Sequence, residues 1–334
     1  MKGKFNKQNA FGVELELLIP SHLTQNDIVQ HLIDAGIFAR KETYNHTTVT
    51  YWKMTTDCTV KSLGRTYYKG GNELVSPKLY GDEGKAQLKK VLEVLNELDC
   101  IVNKTCGTHV HHDVTNVMIK DQKTVNTFLN NLIKTVCKFE HIIYRLIAPS
   151  RLQKIGSSWW TLPARYIFNQ YQSRNITIDT LVEKVKHSLN RDCNYKYNNY
   201  GAGVNKRYSP SRTQSDRYCG LNLKNIWTRG SVEFRYHQGT LNFEKLWAWI
   251  VFTQAFIVTA ENKKSVNFGK GDAGLFYLKK SIGFIGSKDR CEEVKFANKV
   301  ISKRFKELTT PEMNRRRSRA KFYYTIKEQL QKGA

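Results

Sequence analysis

The chain has 334 residues, 40% of them hydrophobic, which makes it a globular protein of one large or two ordinary domains. Fifty-four Lys and Arg against 29 Asp and Glu leave a net charge of +25, which favours anionic partners such as nucleotides, nucleic acid or an acidic polymer without choosing among them. Seven cysteines, an odd number with no Cys-x-x-Cys pair, fit reduced thiols in a cytoplasm better than a disulfide framework or a Cys-ligated zinc.

Lysines at the N-terminus precede an apolar run from Phe11, but Glu14 and Glu16 interrupt it too early for a signal peptide. Phe11 to Leu17 reads as a strand with Phe11, Val13, Leu15 and Leu17 on one face and Glu14 and Glu16 on the other, beside Gly12. Two carboxylates about 7 Å apart on one strand face suit a divalent cation with oxygen ligands. Thr24 then caps a helix to Ala35, with Asp27 at the capping-box distance and Gly36 as its stop. Thr47 to Asp57 alternates as a strand ending at Asp57 and Thr59, where an aspartate is also a common turn former. After a Gly-Gly bend, Asn72 to Pro77 (NELVSP) places Glu73 and Val75 on one strand face.

A helix from about Asp82 to Leu98 leads to Gly107–Asp113 (GTHVHHD), where a strand would point His109 and His111 the same way, as joint ligation or a ligand plus a phosphate contact requires. Lys120 to Ala148 has helical spacing with an apolar core face. From Ser150 to Asp216 the chain turns rich in Asn, Tyr, Arg and Ser and loses all period, as long functional loops do. Arg217 precedes a short strand, Tyr218 to Leu223, in which Asn222 is the polar member; Arg217, Asn222 and His111 are candidate nucleotide contacts.

Ser231 to Thr240 (SVEFRYHQGT) repeats the alternating pattern, with Val232, Phe234 and Tyr236 on one face and Glu233, Arg235 and His237 on the other. Phe243 to Ala260 reads as a buried helix, its apolar run from Leu246 too short to span a bilayer. Gly269, Gly271 and Gly274 have GxGxxG spacing with no preceding strand, and read as a loop. The tail has helical spacing and a basic run, Asn314 to Lys321, which is either a solvated helix face or a nucleic-acid contact. One catalytic domain over residues 1–262 with a loop-rich insertion at about 150–216, and a basic helical extension over 263–334, is the expected organisation.

The four strands imply a curved sheet whose concave face collects Glu14, Glu16, Glu73, Glu233, His109, His111, Arg235 and His237. Carboxylates so close raise one another's pKa and demand a counter-charge. Oxygen-rich ligands with few imidazoles favour Mg²⁺ or Mn²⁺ over Zn²⁺, and an arginine beside them suits a transferring phosphoryl group.

FGVELEL, Trp52 to Asp57 with Thr59, NELVSP, GTHVHHD, RYCGLNL and SVEFRYHQGTLN, in that order, resemble the amidoligase family, among the carboxylate-amine ligases related to glutamine synthetase and glutamate-cysteine ligase. The resemblance spans about Phe11 to Ala260. It implies an α+β, glutamine-synthetase-like fold with a mainly antiparallel sheet and helices on one side, and the use of ATP with two or three Mg²⁺ or Mn²⁺ ions. By the same resemblance Glu14, Glu16, Glu73 and Glu233 match acidic metal-binding positions, His109 the histidine near metal and phosphate, and Arg235 the arginine on the transferring phosphate; His237 is a further candidate nucleotide contact. Asp57 is the candidate for binding or deprotonating the amine, and Glu73 is placed beside it in the catalytic set. Thr108 stands in CGTHVH where CGLHVH is common, and Thr59 where Ser is frequent. Two other readings stay open: a metal-dependent hydrolase using the same Glu and His face, and a nucleic-acid-binding protein using the positive charge. A ligase acting on a polyanionic or nucleic-acid-linked substrate joins the two properties. The carboxylate and amine substrates are not specified by the sequence.

Overall fold

A computed structural model describes residues 5–45, 47–152, 164, 219–223, 225–264, 274–286 and 288–318. Seven strands form one sheet: β1 (Phe11–Pro20), β2 (Ala39–Lys41), β3 (Trp52–Thr56), β4 (Tyr68–Val75), β5 (Gly107–Asp113), β6 (Leu221–Asn222) and β7 (Ser231–Gln238). Their order is β2-β3-β4-β1-β5-β7-β6. Every neighbouring pair is antiparallel except β2 with β3. The observed class is therefore mixed α/β with a mostly antiparallel sheet.

The helices are α1 (Gln25–Asp34), α2 (Gly81–Glu97), α3 (Thr115–Met118), α4 (Gln122–Ile143), α5 (Ile226–Arg229), α6 (Phe243–Asn262), α7 (Leu275–Ser281), α8 (Glu292–Leu308) and α9 (Pro311–Ser318). Thr24 caps α1 in the expected reciprocal box with Asp27, and Gly36 takes φ +80, a left-handed conformation in which only glycine is unstrained. Strand β3 begins at Trp52, later than the alternation suggests, because residues 47–51 make no ladder; strand β4 begins earlier, at Tyr68, and β2 was not anticipated.

The alternation in β1 is what sorts the two faces of the sheet. Phe11, Val13, Leu15 and Leu17 join the main core, where Phe11 meets Trp247 of α6 edge-on at 5.7 Å between ring centroids. Helix α6 is buried on almost every side because it lies between the sheet and helices α2, α4 and α8. Asn242 caps it, accepting a 2.9 Å bond from the Lys245 N–H. On the opposite face Leu18 packs with Val60 and Cys106 in a small separate cluster.

Beside β7, the Tyr236 ring is held by Tyr144, at 5.6 Å between centroids, and by its hydroxyl, which donates to Glu140 Oε1 at 2.5 Å. A Cβ on Gly220 would fall 2.0 Å from that ring. Gly220→Ala is therefore expected to destabilise the fold by about 1–3 kcal/mol through overpacking, read as a lower urea midpoint at unchanged slope.

Only part of the basic run is a solvated surface. Arg315 and Arg316 are exposed, but Arg317 is fully buried and donates to the carbonyls of Tyr144, Arg145, Ile147 and Leu308, tying the ends of α4 and α8 together. A cation at helix C-termini is favoured by the carbonyls left unpaired there. Residues 319–321 of the run lie outside the described residues. No helix among the described residues is long and apolar enough to cross a membrane.

Candidate active site

The face of the sheet away from the main core opens into a cleft of about 970 Å³. Register places its side chains in rows across the strands. Glu14 of β1 lies opposite His109 of β5, Gly12 opposite His111, and His111 in turn opposite Glu233 of β7. Farther along, Glu16 lies opposite Glu73 of β4, and Glu73 opposite Thr55 of β3. Non-local pairing thus brings five short sequence segments to one surface.

The contacts are close. Glu14 bridges both histidines, with His109 Nδ1 at 2.8 Å from Oε2 and His111 Nε2 at 3.1 Å from Oε1. Glu16 accepts a 2.6 Å bond from the Gly107 N–H, and His109 Nε2 is 3.6 Å from its other oxygen. Glu233 is buried and accepts from Asn222 Nδ2 at 2.6 Å, from Asn225 Nδ2 at 3.2 Å, and from Arg235 Nη1. The Nε of Arg235 is buried and has no hydrogen-bond partner among the described residues. Behind it, Arg151 Nη2 donates to the Arg235 carbonyl at 3.0 Å. A Cβ on Gly107 would sit 3.0 Å from both Arg151 Nη2 and His109 Nε2, so this position is kept free of a side chain by the site itself.

The electrostatics separate the carboxylates. Burial pushes the Glu14 carboxyl up, but the His111 charge and the hydrogen bonds from His109 and His111 outweigh it and hold the group well below the usual range. Glu233 is also held down: burial opposes, and the Arg235 guanidinium and His111 prevail. Glu73 goes the other way, pushed well above the usual range by burial and then by the charges of Glu14, Glu16 and Asp57. Burial lowers His111, but Glu233 and Glu14 raise it more. Burial likewise opposes the Arg235 charge, yet Glu233, Glu14 and Glu16 together hold its pKa above the ordinary arginine value. An uncompensated surplus of negative charge around Glu73 is what a divalent cation relieves.

Among the described residues, three trios of ligand atoms lie within 4.8 Å of one another: Glu14, Glu73 and His109; Glu14, His111 and Glu233; Glu16, Asp57 and Glu73. The donor chemistry, carboxylates with at most one imidazole per trio and no thiolate, suits Mg²⁺ or Mn²⁺.

Of the residues singled out from sequence, Glu14, Asp57, Glu73, His109, His111, Asn222, Glu233 and Arg235 all line the cleft. Glu16 lies among them, buried under the Gly107 N–H. His237 does not join them. A register shift between Thr108 and Val110 breaks the alternation of the β5–β7 ladder, and the His237 ring lies against Trp249 of α6, 5.0 Å between centroids, with Nδ1 2.6 Å from the Gln238 carbonyl. Burial pushes its pKa down to about 3. Arg217 lies outside the described residues. Asn222 has one donor spent on Glu233, so it orients that carboxylate. Asp57 is half-buried and its Oδ1 accepts from the Thr59 N–H at 2.7 Å, the turn-forming contact its strand-end position suggested.

Sequence reading missed Lys53, Asn225, Arg229 and the Lys78–Asp113 pair, which also line the cleft. Lys53 was legible, since it alternates with Trp52 and Met54 and shares the face of Thr55. Asn225 and Arg151 reach the site through turns and a 3₁₀ segment (Pro149–Leu152) that carry no periodic signal.

Residues 7–257 match the family described as "Putative amidoligase enzyme". A comparison with curated proteins returns no match. Among solved structures, the chain is similar to a bifunctional glutathione synthetase from Pasteurella multocida at 13% identity and a TM-score of 0.43, over 98% of this chain and 50% of that one. The chain thus spans half the length of that protein, and a likeness at that score fixes neither fold nor activity. The ordered strand motifs and the family match over most of the chain agree, and the chain belongs to the amidoligase family.

Proposed function

We propose that this chain is an ATP-dependent carboxylate-amine ligase with a glutamine-synthetase-like catalytic fold. Residues 1–262 form the catalytic unit, with the 150–216 stretch inserted in it, and 263–334 a basic extension. In this reading a substrate carboxylate oxygen bonds to the γ-phosphorus of ATP as ADP leaves; the amine nitrogen then bonds to the acyl carbon as phosphate leaves and the amine gives up a proton. The observation that carries the reading is the gathering of Glu14, Glu16, Glu73 and Glu233 with Arg235 in one cleft of a chain that belongs to this family.

Glu14, Glu16, Glu73, Glu233 and His109 would hold Mg²⁺ or Mn²⁺, and the ions would supply neutralisation of charge on the phosphate oxygens. Arg235, fixed on Glu233 with an unspent Nε, offers planar donors to a phosphoryl group. His111 and Asn222 hold Glu14 and Glu233 in orientation. Asp57 and the raised Glu73 are the groups that can accept the proton of the amine.

ADP release from ATP and Mg²⁺, with mixed pools of carboxylates and amines supplied together and singly, tests the reading. Release that needs both pools is the expected result. ADP formation with neither pool, or none at all while Mn²⁺ still binds, would turn the assignment toward the metal-dependent hydrolase. Direct titration of Mn²⁺ adds a second readout: Glu14→Gln, which removes a ligand common to two of the trios, is expected to weaken binding by about 10–100-fold.

A further inference from the structure

Lys53 lies on the cleft face of β3 and is buried to 2% exposure, the kind of lysine that would ordinarily be read as a phosphate contact. Its donors are spent otherwise. The ammonium has three protons, and it meets the Asn45 carbonyl at 3.1 Å, Asn45 Oδ1 at 2.9 Å and the Thr47 carbonyl at 3.0 Å. Those acceptors belong to the stretch between β2 and β3, whose described residues, 42–45 and 47–51, form no strand or helix. Two further contacts brace it: Asn45 Nδ2 donates to Glu42 Oε2 at 2.6 Å, and the Tyr51 hydroxyl donates to Glu42 Oε1.

This stretch is one wall of the cleft, which Tyr44, Asn45, Thr47, Thr48 and Val49 line. Thr48 and Val49 also border a second hollow of about 440 Å³, reached past Pro77 and Lys78, which the two hollows share. A backbone whose carbonyls find no ladder partner depends on whatever donor replaces one. Burial lowers the Lys53 pKa, and the charges of Glu42, Glu73 and Glu14 work against that shift.

We propose that Lys53 is a positioning residue for substrate binding: by saturating its ammonium with Asn45 and Thr47 it holds residues 43–45 and 47–51 in place as the wall that contacts the part of the substrate remote from the reacting atoms. The role rests on the ligase reading of the cleft. Among the described residues Lys53 makes no hydrogen bond to the catalytic carboxylates or to Arg235, so removing the ammonium takes from them only a charge felt at Glu73 and Glu14, and lets the wall leave its place. Apparent affinity then falls in proportion to the time the wall spends in place.

The test compares wild type, Lys53→Met, which keeps the stem and its packing, and Lys53→Arg, which keeps the charge and donors. Amide hydrogen exchange over residues 43–51 is measured on each full-length protein, alongside ADP formation with the carboxylate and amine pools. In Lys53→Met the segment is expected to lose its protection and KM for one pool to rise about tenfold, as for a wall in place a tenth of the time, with kcat close to wild type. Lys53→Arg is expected to recover much of both. Unchanged protection in Lys53→Met overturns the proposal, as does lost protection with unchanged KM, or a fall in kcat at constant KM. If wild type forms no ADP from any pool, the ligase reading itself fails and takes this role with it; ADP formation with no KM change removes this role alone.

Discussion

Replacing Arg235 by alanine is expected to lower the ADP-forming rate by about a thousandfold, the scale on which a guanidinium beside a transferring phosphoryl group acts. The position is costly to maintain for stability alone. Glu233 is buried and Arg235 is its charged partner, and a buried ion pair of this kind gains little over an apolar pair of the same volume. Its guanidinium nevertheless lines the cleft with Nε unsatisfied. Removing Arg235 also leaves the Glu233 carboxylate with Asn222 and Asn225 as its remaining close donors, a loss of about 3–5 kcal/mol that could unfold the protein and imitate a catalytic defect. Arg235→Lys separates the two. It keeps a positive charge against Glu233 but cannot reproduce the planar fork, so the thermal midpoint is expected to move by a few degrees while kcat/KM still falls about a hundredfold or more. Arg235→Lys with wild-type kcat/KM and a normal melting profile would remove Arg235 from the chemistry.

How much of this was legible in the chain follows from which interactions are local. The period-2 alternation in Phe11–Leu17, Gly107–Asp113 and Ser231–Gln238 specifies which side chains share a face, so Glu14, Glu16, His109, His111, Glu233 and Arg235 could be grouped before their strands were known to pair. It does not specify strand order, and nothing local says that β5 lies between β1 and β7. His237 shows the limit of periodicity. One register shift, three steps from Phe234 to His237 against two from Val110 to Thr108, is enough to send its ring into the core against Trp249, and no residue in SVEFRYHQGT announces that its own strand carries the extra residue. Arg317 is the converse case, an arginine inside a run of like charges, three of whose carbonyl partners are about 170 residues away in sequence. Charge patterning alone cannot tell it from its exposed neighbours.

The histidines that turn into the core make stability sensitive to acid, in a way that two substitutions should move in opposite directions. Burial holds His112, bonded to Thr253 Oγ1 at 2.8 Å, and His237 neutral down to about pH 3. In the unfolded chain each takes a proton near pH 6.5, so the stability they contribute is complete above that pH and is lost progressively as pH falls toward 3. Around pH 5 they add about two protons to the unfolded state relative to the folded one. Glu73 has the opposite sign. Its folded pKa is raised, so without metal it keeps a proton that the unfolded chain has released above about pH 4.3, which removes about one proton from that difference. His111, also raised, no longer changes its contribution below about pH 6.5, and Glu14 and Glu233, held low, begin to matter only below about pH 4.3. Among these groups two less one leaves a net uptake of about one proton on unfolding, a contribution near 1.4 kcal/mol per pH unit to the slope around pH 5, read from urea melts in EDTA. Glu73→Gln is expected to steepen that slope to about two protons and His112→Gln to flatten it toward zero, whatever either substitution does to stability at pH 7. A Glu73→Gln slope no steeper than wild type would mean that Glu73 is ionised in the folded protein without metal. The excess negative charge that makes this cleft a cation site would then have to be balanced by its own arginines and histidines.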